Sequence, residues 1–294
     1  MTLYALRQTI RYTFNRPSGA GRQLFRVLPA DLPGRQTVRE ARYAFAPDMA
    51  EHGAFTDFFG TRVIEAAMSP GLTRLDLTLE AVVERLADSE GPDLSPPLER
   101  LGAALAAQRD VGPRAPHHFT RASRRIAAAP AIAAFARAQT APGQTVRSCV
   151  QALGQALHAR MVFDAKATQV DTAPEAAFAL GRGVCQDFAQ IMVGGLRSLG
   201  VPAAYVAGYL RTLPPPGKPR LVGADAMHAW VRAWAGEEMG WVDYDPTNAC
   251  FAGTDHIDVG FGRDYDDVAP VTGWLRLDGQ QSGSHSVDIQ SIGP

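Results

Sequence analysis

Residues 181–210 read GRGVCQDFAQIMVGGLRSLGVPAAYVAGYL, in which a short glycine-containing turn precedes a long apolar pattern. From Cys185 onward, apolar or small residues recur at helical spacing, and Gly200 supplies a stop signal. The pattern predicts a helix that begins at Cys185 and has one buried face, followed by a strand over Ala203–Arg211. The buried face would consist of Phe188, Ile191, Met192, Gly195, Leu196 and Leu199.

Two segments downstream alternate with the period of a β-strand. Residues 227–234 read MHAWVRAW and residues 240–248 read GWVDYDPTN, with a turn around Gly236 between them. A Pro-rich loop is expected before them, over Leu213–Gly223. One long helix followed by consecutive strands predicts the α+β class, a helix packed on a sheet, rather than a doubly wound sheet.

The remaining chain divides by its periodicity. Residues 1–70 are β-rich, whereas residues 71–145 carry helical spacing, with Pro130 as an internal interruption of the last helix. The predicted strands are Thr9–Phe14, Leu24–Leu28, Thr37–Phe45 and Thr61–Ala67. The predicted helices are Leu79–Leu86, Leu98–Ala107, Ser123–Gln139 and Thr145–Ala159. We therefore divide the chain into an N-terminal module (1–70), a helical segment (71–145), a core (146–252) and C-terminal strands that complete the fold (253–294).

Composition narrows the class of protein. The chain has 294 residues, 46% of them hydrophobic, which is enough for a sizeable core, and its net charge of −1 argues against nucleic-acid or anionic-membrane binding. No run of about 18 apolar residues or signal peptide is visible, and three cysteines are too few for a disulfide framework. We therefore expect a cytoplasmic protein with no membrane partner; its oligomeric state stays open.

Cys185 is the first candidate for chemistry. It is expected in the first turn of its helix, where free amide N–H groups and the helix dipole favour a thiolate, the reactive form of cysteine. The alternative is a small buried apolar residue, as most free cysteines are, and position alone does not decide between the two.

His228 and a nearby carboxylate supply the possible partners of this thiol. In the first strand, one face is uniformly apolar and consists of Met227, Ala229, Val231 and Ala233. His228 lies on the other face, so its imidazole is expected to point away from the apolar side. An imidazole is well suited to take a proton from a thiol, and a carboxylate can orient the ring. If the two strands form a hairpin, either Asp243 or Asp245 can approach His228. Asp245 in Asp-Pro-Thr is also explained as a strand-ending Asx turn.

These segments together resemble the transglutaminase-like core of bacterial proteins. The run Gly-Val-Cys-Gln-Asp-Phe-Ala, with its His and Asp-Pro-Thr partners, is specific, and the resemblance extends to GRDYDDVAPVTGW at 262–274. It also reaches the N-terminal region, which is similar to a β-rich module seen ahead of the core in the bacterial group. Residues 8–14 depart from that module, because relatives often carry a His and more Tyr there.

The resemblance implies a papain-like α+β core in which Cys185 is the nucleophile, His228 the general base and Asp245 the orienting acid. Asp243 matches no catalytic position. The implied reaction is acyl transfer or hydrolysis at a carboxamide or peptide bond through a thioester, with a protein or peptide substrate and an optional amine acceptor. The backbone N–H of Cys185 is the natural first oxyanion donor, and the sequence does not show the second. Trp230, Trp234 and Trp241 are either walls of this site or ordinary core residues.

Other interpretations have less support. We expect no cofactor and no metal, because His117 and His118 are adjacent rather than helix-spaced and no Cys/His set has zinc-ligand spacing. Cys149 and Cys250 are interpreted as structural, and a redox-sensing Cys185 lacks a nearby resolving cysteine. The alternative function is a catalytically silent protein-interaction module with the same fold.

Overall fold

The computed structural model describes residues 1–86, 91–212 and 225–293. The predicted Pro-rich loop over Leu213–Gly223 lies outside the described residues. The described chain consists of helices and mainly antiparallel sheets, with a β-rich N-terminal part, and this confirms the predicted α+β class.

The N-terminal part contains six strands, which hydrogen-bond in two antiparallel sets: the first, sixth and third strands, and the second, fifth and fourth. They are β1 (Thr2–Phe14), β2 (Gly21–Phe25), β3 (Gln36–Ala46), β4 (Glu51–Thr56), β5 (Arg62–Met68) and β6 (Arg74–Arg85). The four predicted strands correspond to β1, β2, β3 and β5. Strand β4 was not predicted; every residue in it is exposed, so it carries no buried alternation.

The predicted helix over Leu79–Leu86 is wrong, because most of this segment belongs to β6. Its apolar residues fit both a helical stripe and the alternation of a strand. The alternation continues upstream through Leu75 and Leu77, and β6 is paired with β1 on one side and β3 on the other. Pairing on both edges explains why this segment is a strand.

Three helices follow, namely α1 (Leu98–Ala107), α2 (Pro130–Arg137) and α3 (Val146–Arg160). Helices α1 and α3 confirm their predictions. The prediction over Ser123–Gln139 was too long: Pro130 is the first residue of α2, where its missing N–H costs no helical hydrogen bond, and is not an interruption. Helix α3 begins after Thr145, whose hydroxyl accepts a hydrogen bond from the Ser148 amide at 3.3 Å.

The core is a five-stranded antiparallel sheet with helices packed on it. A short strand β7 (Val162–Phe163), helix α4 (Pro174–Leu180), a short strand β8 (Arg182–Gly183) and helix α5 (Cys185–Ser198) precede the sheet. Its strands are β9 (Ala203–Leu210), β10 (Ala226–Trp234), β11 (Trp241–Asp245), β12 (Cys250–Phe251) and β13 (His256–Gly262), in the spatial order β12-β11-β10-β9-β13. The predicted hairpin is confirmed, because β10 and β11 pair with Trp234 opposite Trp241.

The C-terminal residues return to the N-terminal sheets. After a short helix α6 (Tyr265–Val268), strand β14 (Val271–Leu275) pairs with β2 and strand β15 (Gln281–Gly293) pairs with β1. Tyr209, Ile257 and Val259 of the core sheet belong to the apolar cluster of the N-terminal sheets, so the two halves share buried surface. No helix in the described ranges is long and apolar enough to cross a membrane.

Candidate active site

Cys185 is the first residue of α5, as predicted, and it is partly buried. The preceding turn is held by Asp187, whose Oδ2 accepts the Val184 N–H at 2.8 Å and the Thr168 hydroxyl at 2.6 Å. A Cβ on Gly183 would lie 2.5 Å from that same oxygen, so this position requires glycine. The amides of the first helical turn have no acceptor four residues back, and they favour negative charge on the sulfur of Cys185.

His228 lies on β10. Its neighbours Ala229, Val231 and Ala233 are buried in the core cluster that contains the inner face of α5, as the alternation predicted. Trp230 and Arg232 continue the face of His228, whereas Trp234 belongs to the helix-side cluster. The His228 side chain is 9% exposed, and its Nε2 lies 2.7 Å from Oδ2 of Asp245.

Asp245 ends β11 and is completely buried. Its Oδ1 accepts the backbone N–H groups of Thr247 and Asn248, at 2.9 and 3.2 Å, in an Asx turn. Its Oδ2 accepts hydrogen bonds from His228, from the Asn248 side chain at 2.7 Å and from Nε2 of His256 at 3.1 Å. One oxygen of Asp245 therefore forms the Asx turn, and the other accepts the hydrogen bond from His228.

The hydrogen bonds decide the charge of Asp245. Burial by itself would raise the pKa of this carboxyl, but the hydrogen bonds from His228, His256 and Asn248 hold it well below its usual range. A carboxylate without a proton can only accept, so Nε2 of His228 carries a hydrogen. The nitrogen left to exchange a proton with a thiol is Nδ1.

The pKa of His228 is raised to about 10. Burial lowers it, but the hydrogen bonds with Asp245 and Cys185 and the negative charges of both partners outweigh burial. At neutral pH the ring is therefore an imidazolium, the form that stabilises a neighbouring thiolate. Two side chains 43 residues apart in the sequence, Cys185 and His228, are close enough in the fold to interact.

Asp243, the other candidate carboxylate, does not bond to His228. It accepts two hydrogen bonds from Arg232 at 2.8 Å, one from Arg35 at 2.6 Å and one from Trp230 Nε1 at 3.1 Å. Burial would raise its pKa, but the two guanidinium charges hold it well below the usual range. Since Arg35 comes from the N-terminal module, Asp243 helps to join the two halves of the fold.

His256, at the start of β13, was missed by the sequence analysis. It is a lone imidazole in a buried strand whose other charged residue is Asp258, and the pairing of β13 with β9 places it in the core sheet. The ring of Trp230 contacts it edge-on, with 5.2 Å between ring centroids. A Cβ on Gly208 would lie 2.4 Å from the Trp230 ring, so glycine makes room for this tryptophan. Trp230 thus packs beside the two imidazoles, while Trp241 contacts Phe119 elsewhere.

The ligand atoms of His228, Asp245 and His256 lie within 4.8 Å of one another, close enough to surround a metal ion. The hydrogen bonds argue for another use of His256. Its Nδ1 lies 3.2 Å from the backbone N–H of Gly253, which can only donate, so in the neutral ring the proton is on Nε2. A protonated Nε2 cannot ligate a metal, and the cluster is explained as two imidazoles that donate to one carboxylate.

All three cysteines are unpaired. Cys149 is buried in α3 with a pKa raised to about 11 by burial, and Cys250 lies on β12 with a pKa raised to about 11 by burial and by the charge of Asp245. A thiol with a raised pKa is a poor nucleophile at neutral pH. Position also distinguishes these two cysteines from Cys185, which begins a helix and interacts with His228.

The arrangement defines a class of protein: a cysteine-dependent enzyme fold with a helix-terminal thiol beside a strand-borne imidazole. Comparison with known proteins specifies the family. Residues 133–246 match the transglutaminase-like superfamily, and residues 4–84 match the bacterial transglutaminase-like N-terminal region. The chain is 32% identical over 270 residues to an uncharacterized protein of Mycobacterium leprae, a match that covers 89% of each chain. It belongs to the transglutaminase-like superfamily.

Other relatives match smaller parts. An uncharacterized protein of Mycobacterium tuberculosis is 35% identical over 155 residues, or 52% of this chain, and the match spans about half of that relative (49%). A protein-glutamine gamma-glutamyltransferase of Pseudomonas aeruginosa is 40% identical over 82 residues, which are 28% of this chain and 12% of that enzyme. The crystal structure of a candidate cysteine protease from Cytophaga hutchinsonii superposes with a TM-score of 0.76 at 18% identity, covering 100% of this chain and 91% of that one, and shows the same fold.

Proposed function

We propose that this protein is a cysteine-dependent acyl-transfer enzyme that acts on a carboxamide or peptide bond of a protein or peptide. The observation that carries the proposal is the imidazole of His228, held by buried Asp245 at 2.7 Å and close enough to Cys185 for that residue to raise its pKa. The membership of the transglutaminase-like superfamily supports the same chemistry.

In the proposed reaction, Nδ1 of His228 has already taken the proton of Cys185, and the sulfur attacks as the thiolate. The sulfur forms a bond to the carbonyl carbon, the carbonyl oxygen takes up the negative charge, and the backbone N–H of Cys185 stabilises it. When this intermediate collapses, the carbon–nitrogen bond breaks and His228 returns its proton to the leaving nitrogen. Ammonia or an amine departs, and an acyl thioester with Cys185 remains.

The second half of the reaction uses either an amine or water. His228 removes a proton from the incoming nucleophile, the carbon–sulfur bond breaks, and the thiol of Cys185 is restored. Amine attack makes the enzyme a transferase, and water attack makes it an amidase or peptidase. Lys166 and Lys218 are the only lysines of the chain, so acceptor amines are expected from other molecules rather than from this protein itself.

A glutamine-containing peptide and a labelled primary amine test the proposal directly. Ammonia release measures the first half-reaction, and incorporation of the label separates transfer from hydrolysis. The Cys185→Ala variant is expected to lose both activities, because no other described thiol lies beside an imidazolium. The matched control is Cys250→Ala, which removes the thiol on β12 and is expected to retain them. Turnover that persists in Cys185→Ala would contradict the proposed nucleophile.

Alkylation by iodoacetamide distinguishes the enzyme from a catalytically silent interaction module. If the helix terminus and His228 stabilise the thiolate, Cys185 is expected to be alkylated well below pH 8. His228→Ala is expected to slow this low-pH reaction, because the positive charge is lost. An alkylation profile like that of a free thiol, unchanged by His228→Ala, would favour the silent module.

A further inference from the structure

The buried imidazole of His256 has no part in the proposed reaction steps, yet both of its nitrogens are engaged. Nδ1 lies 3.2 Å from the Gly253 N–H and Nε2 lies 3.1 Å from Oδ2 of Asp245. The ring is 5% exposed and packs against Trp230. Such a placement fixes the position, the orientation and the protonation state of an imidazole together.

The partners of His256 allow one neutral tautomer. A backbone N–H donates, so Nδ1 must offer its lone pair to Gly253, and the ring hydrogen is on Nε2, aimed at Asp245. Protonation of Nδ1 would turn its lone pair into an N–H facing the N–H of Gly253. His256 is therefore a fixed, uncharged donor, in contrast to His228, which gains and loses a proton during the reaction.

The same oxygen of Asp245 serves both imidazoles. Oδ2 also accepts from Asn248, so three donors share the negative charge of one atom. Each donor holds the carboxylate in place, and each reduces the attraction of this oxygen for the proton on His228. A base that must return its proton to a leaving nitrogen benefits from this reduction.

We infer that His256 is a positioning residue of the catalytic centre: it donates from Nε2 to Asp245, fixes the carboxylate, and weakens its hold on the proton of His228. This inference rests on the proposed function for its catalytic meaning, while the hydrogen-bond arrangement itself can be tested without a substrate.

Other charged and titratable groups face this pair and must stay constant in any test. The titratable group on α5 is Cys185, which interacts with His228. Its negative charge also raises the pKa of Tyr205 on β9 and of Tyr265 on α6. The charge of Asp245 raises the pKa of Tyr244 on β11 and of Cys250 on β12. None of these groups hydrogen-bonds to His256 in the described structure, so substitution of His256 leaves them in place.

The tautomer of His256 is tested by nitrogen-15 NMR of the imidazoles in the full protein. We expect Nε2 of His256 to carry a hydrogen and Nδ1 to carry none, as the contact with the Gly253 N–H requires. A doubly protonated ring at neutral pH, or a hydrogen on Nδ1, would overturn the inference. This measurement requires neither a variant nor a substrate.

The effect on His228 is tested with two variants. His256→Phe fills the space but removes the donor, whereas the side-chain amide of His256→Gln retains a donor. We expect the pKa of His228, followed by NMR and by the upper inflection of the Cys185 alkylation profile, to rise by about half a unit or more in His256→Phe. His256→Gln should stay close to the parent, as should the remote control His52→Gln on exposed strand β4.

A merely structural role would lower the melting temperature of both variants and leave the inflection where it is, and that result would overturn the inference. So would a downward shift in His256→Phe. With a peptide substrate, kcat should fall about tenfold in His256→Phe, with little change in KM, and recover in His256→Gln. If no substrate is turned over by the parent protein, the proposed function fails while the NMR and alkylation results still decide the role of His256.

Discussion

Two buried carboxylates, Asp243 and Asp245, lie two residues apart on β11 with contrasting surroundings. Asp243 is bound by the guanidinium groups of Arg232 and Arg35 and by the indole of Trp230. Asp245 is bound by two imidazoles, an amide side chain and two backbone N–H groups. Both have pKa values held well below the usual range, so the charge of the carboxylate does not distinguish them.

The difference lies in the partners. A guanidinium keeps its charge at any pH that a folded protein tolerates, so the surroundings of Asp243 form a permanent ion network. An imidazole can gain or lose a proton within the pH range in which a protein stays folded, so the surroundings of Asp245 are able to move a proton. Trp230 contacts both regions, because its Nε1 donates to Asp243 and its ring packs on His256. We therefore expect substitutions in the two regions to affect different properties.

The largest expected effect is a loss of catalytic activity in the Asp245→Asn variant. The neutral amide cannot stabilise the imidazolium of His228, and its NH₂ group can reverse the ring tautomer, which places a hydrogen on Nδ1. We expect kcat/KM on a glutamine peptide to fall by about 10²–10⁴-fold, as for the loss of an orienting acid. Activity close to that of the parent would show that His228 does not depend on this carboxylate.

The matched substitution Asp243→Asn should act on stability instead. It removes a counter-charge shared by Arg232 and Arg35 in a buried site, although Asp258 still accepts from Arg232 at 2.6 Å and lies 3.5 Å from Arg35. We expect the free energy of unfolding, measured in urea, to fall by about 3 kcal/mol. The alkylation profile of Cys185 should stay the same in the folded fraction, and a shifted profile would break the distinction between the two regions.

The smallest expected effect concerns the pH dependence of the free energy of unfolding, to which His228 beside Asp245 contributes. The pKa of His228 is raised from 6.5 to about 10 in the folded protein, so folding binds a proton between these values. Its contribution to stability is full below about pH 6.5 and declines as the pH rises towards 10. Urea unfolding at several pH values should show a steeper decline in the parent than in His228→Gln. Equal slopes would mean that His228 is not protonated as described.

Local patterns predicted the elements that carry the candidate site. The helix from Cys185 was predicted from apolar spacing and its glycine stop, and the β10–β11 hairpin from alternation. Both signals come from apolar residues that recur on one face of each element. Leu79–Leu86 was mispredicted for the complementary reason: its apolar spacing suits a helix and a strand equally, and only pairing with β1 and β3 decides.

The choice between the two aspartates shows where reasoning from residues alone ended. Period-two alternation puts Asp243 and Asp245 on the same face of the strand, and the family resemblance was needed to favour Asp245. The structure adds the physical reason. The hairpin register brings Arg232 opposite Asp243, and the carboxylate of Asp243 accepts hydrogen bonds from Arg232 and Arg35 instead of from His228.

The sequence by itself determined the class of the fold, the helix that presents Cys185 and the strands that carry His228 and the two carboxylates, because burial periodicity and turn residues act over short distances. Only the tertiary structure decided which carboxylate meets which cation, and it alone revealed His256. These contacts join residues on strands whose pairing is set by the packing of the whole sheet, and side-chain hydrogen bonds form only once that packing fixes positions to within a few tenths of an ångström.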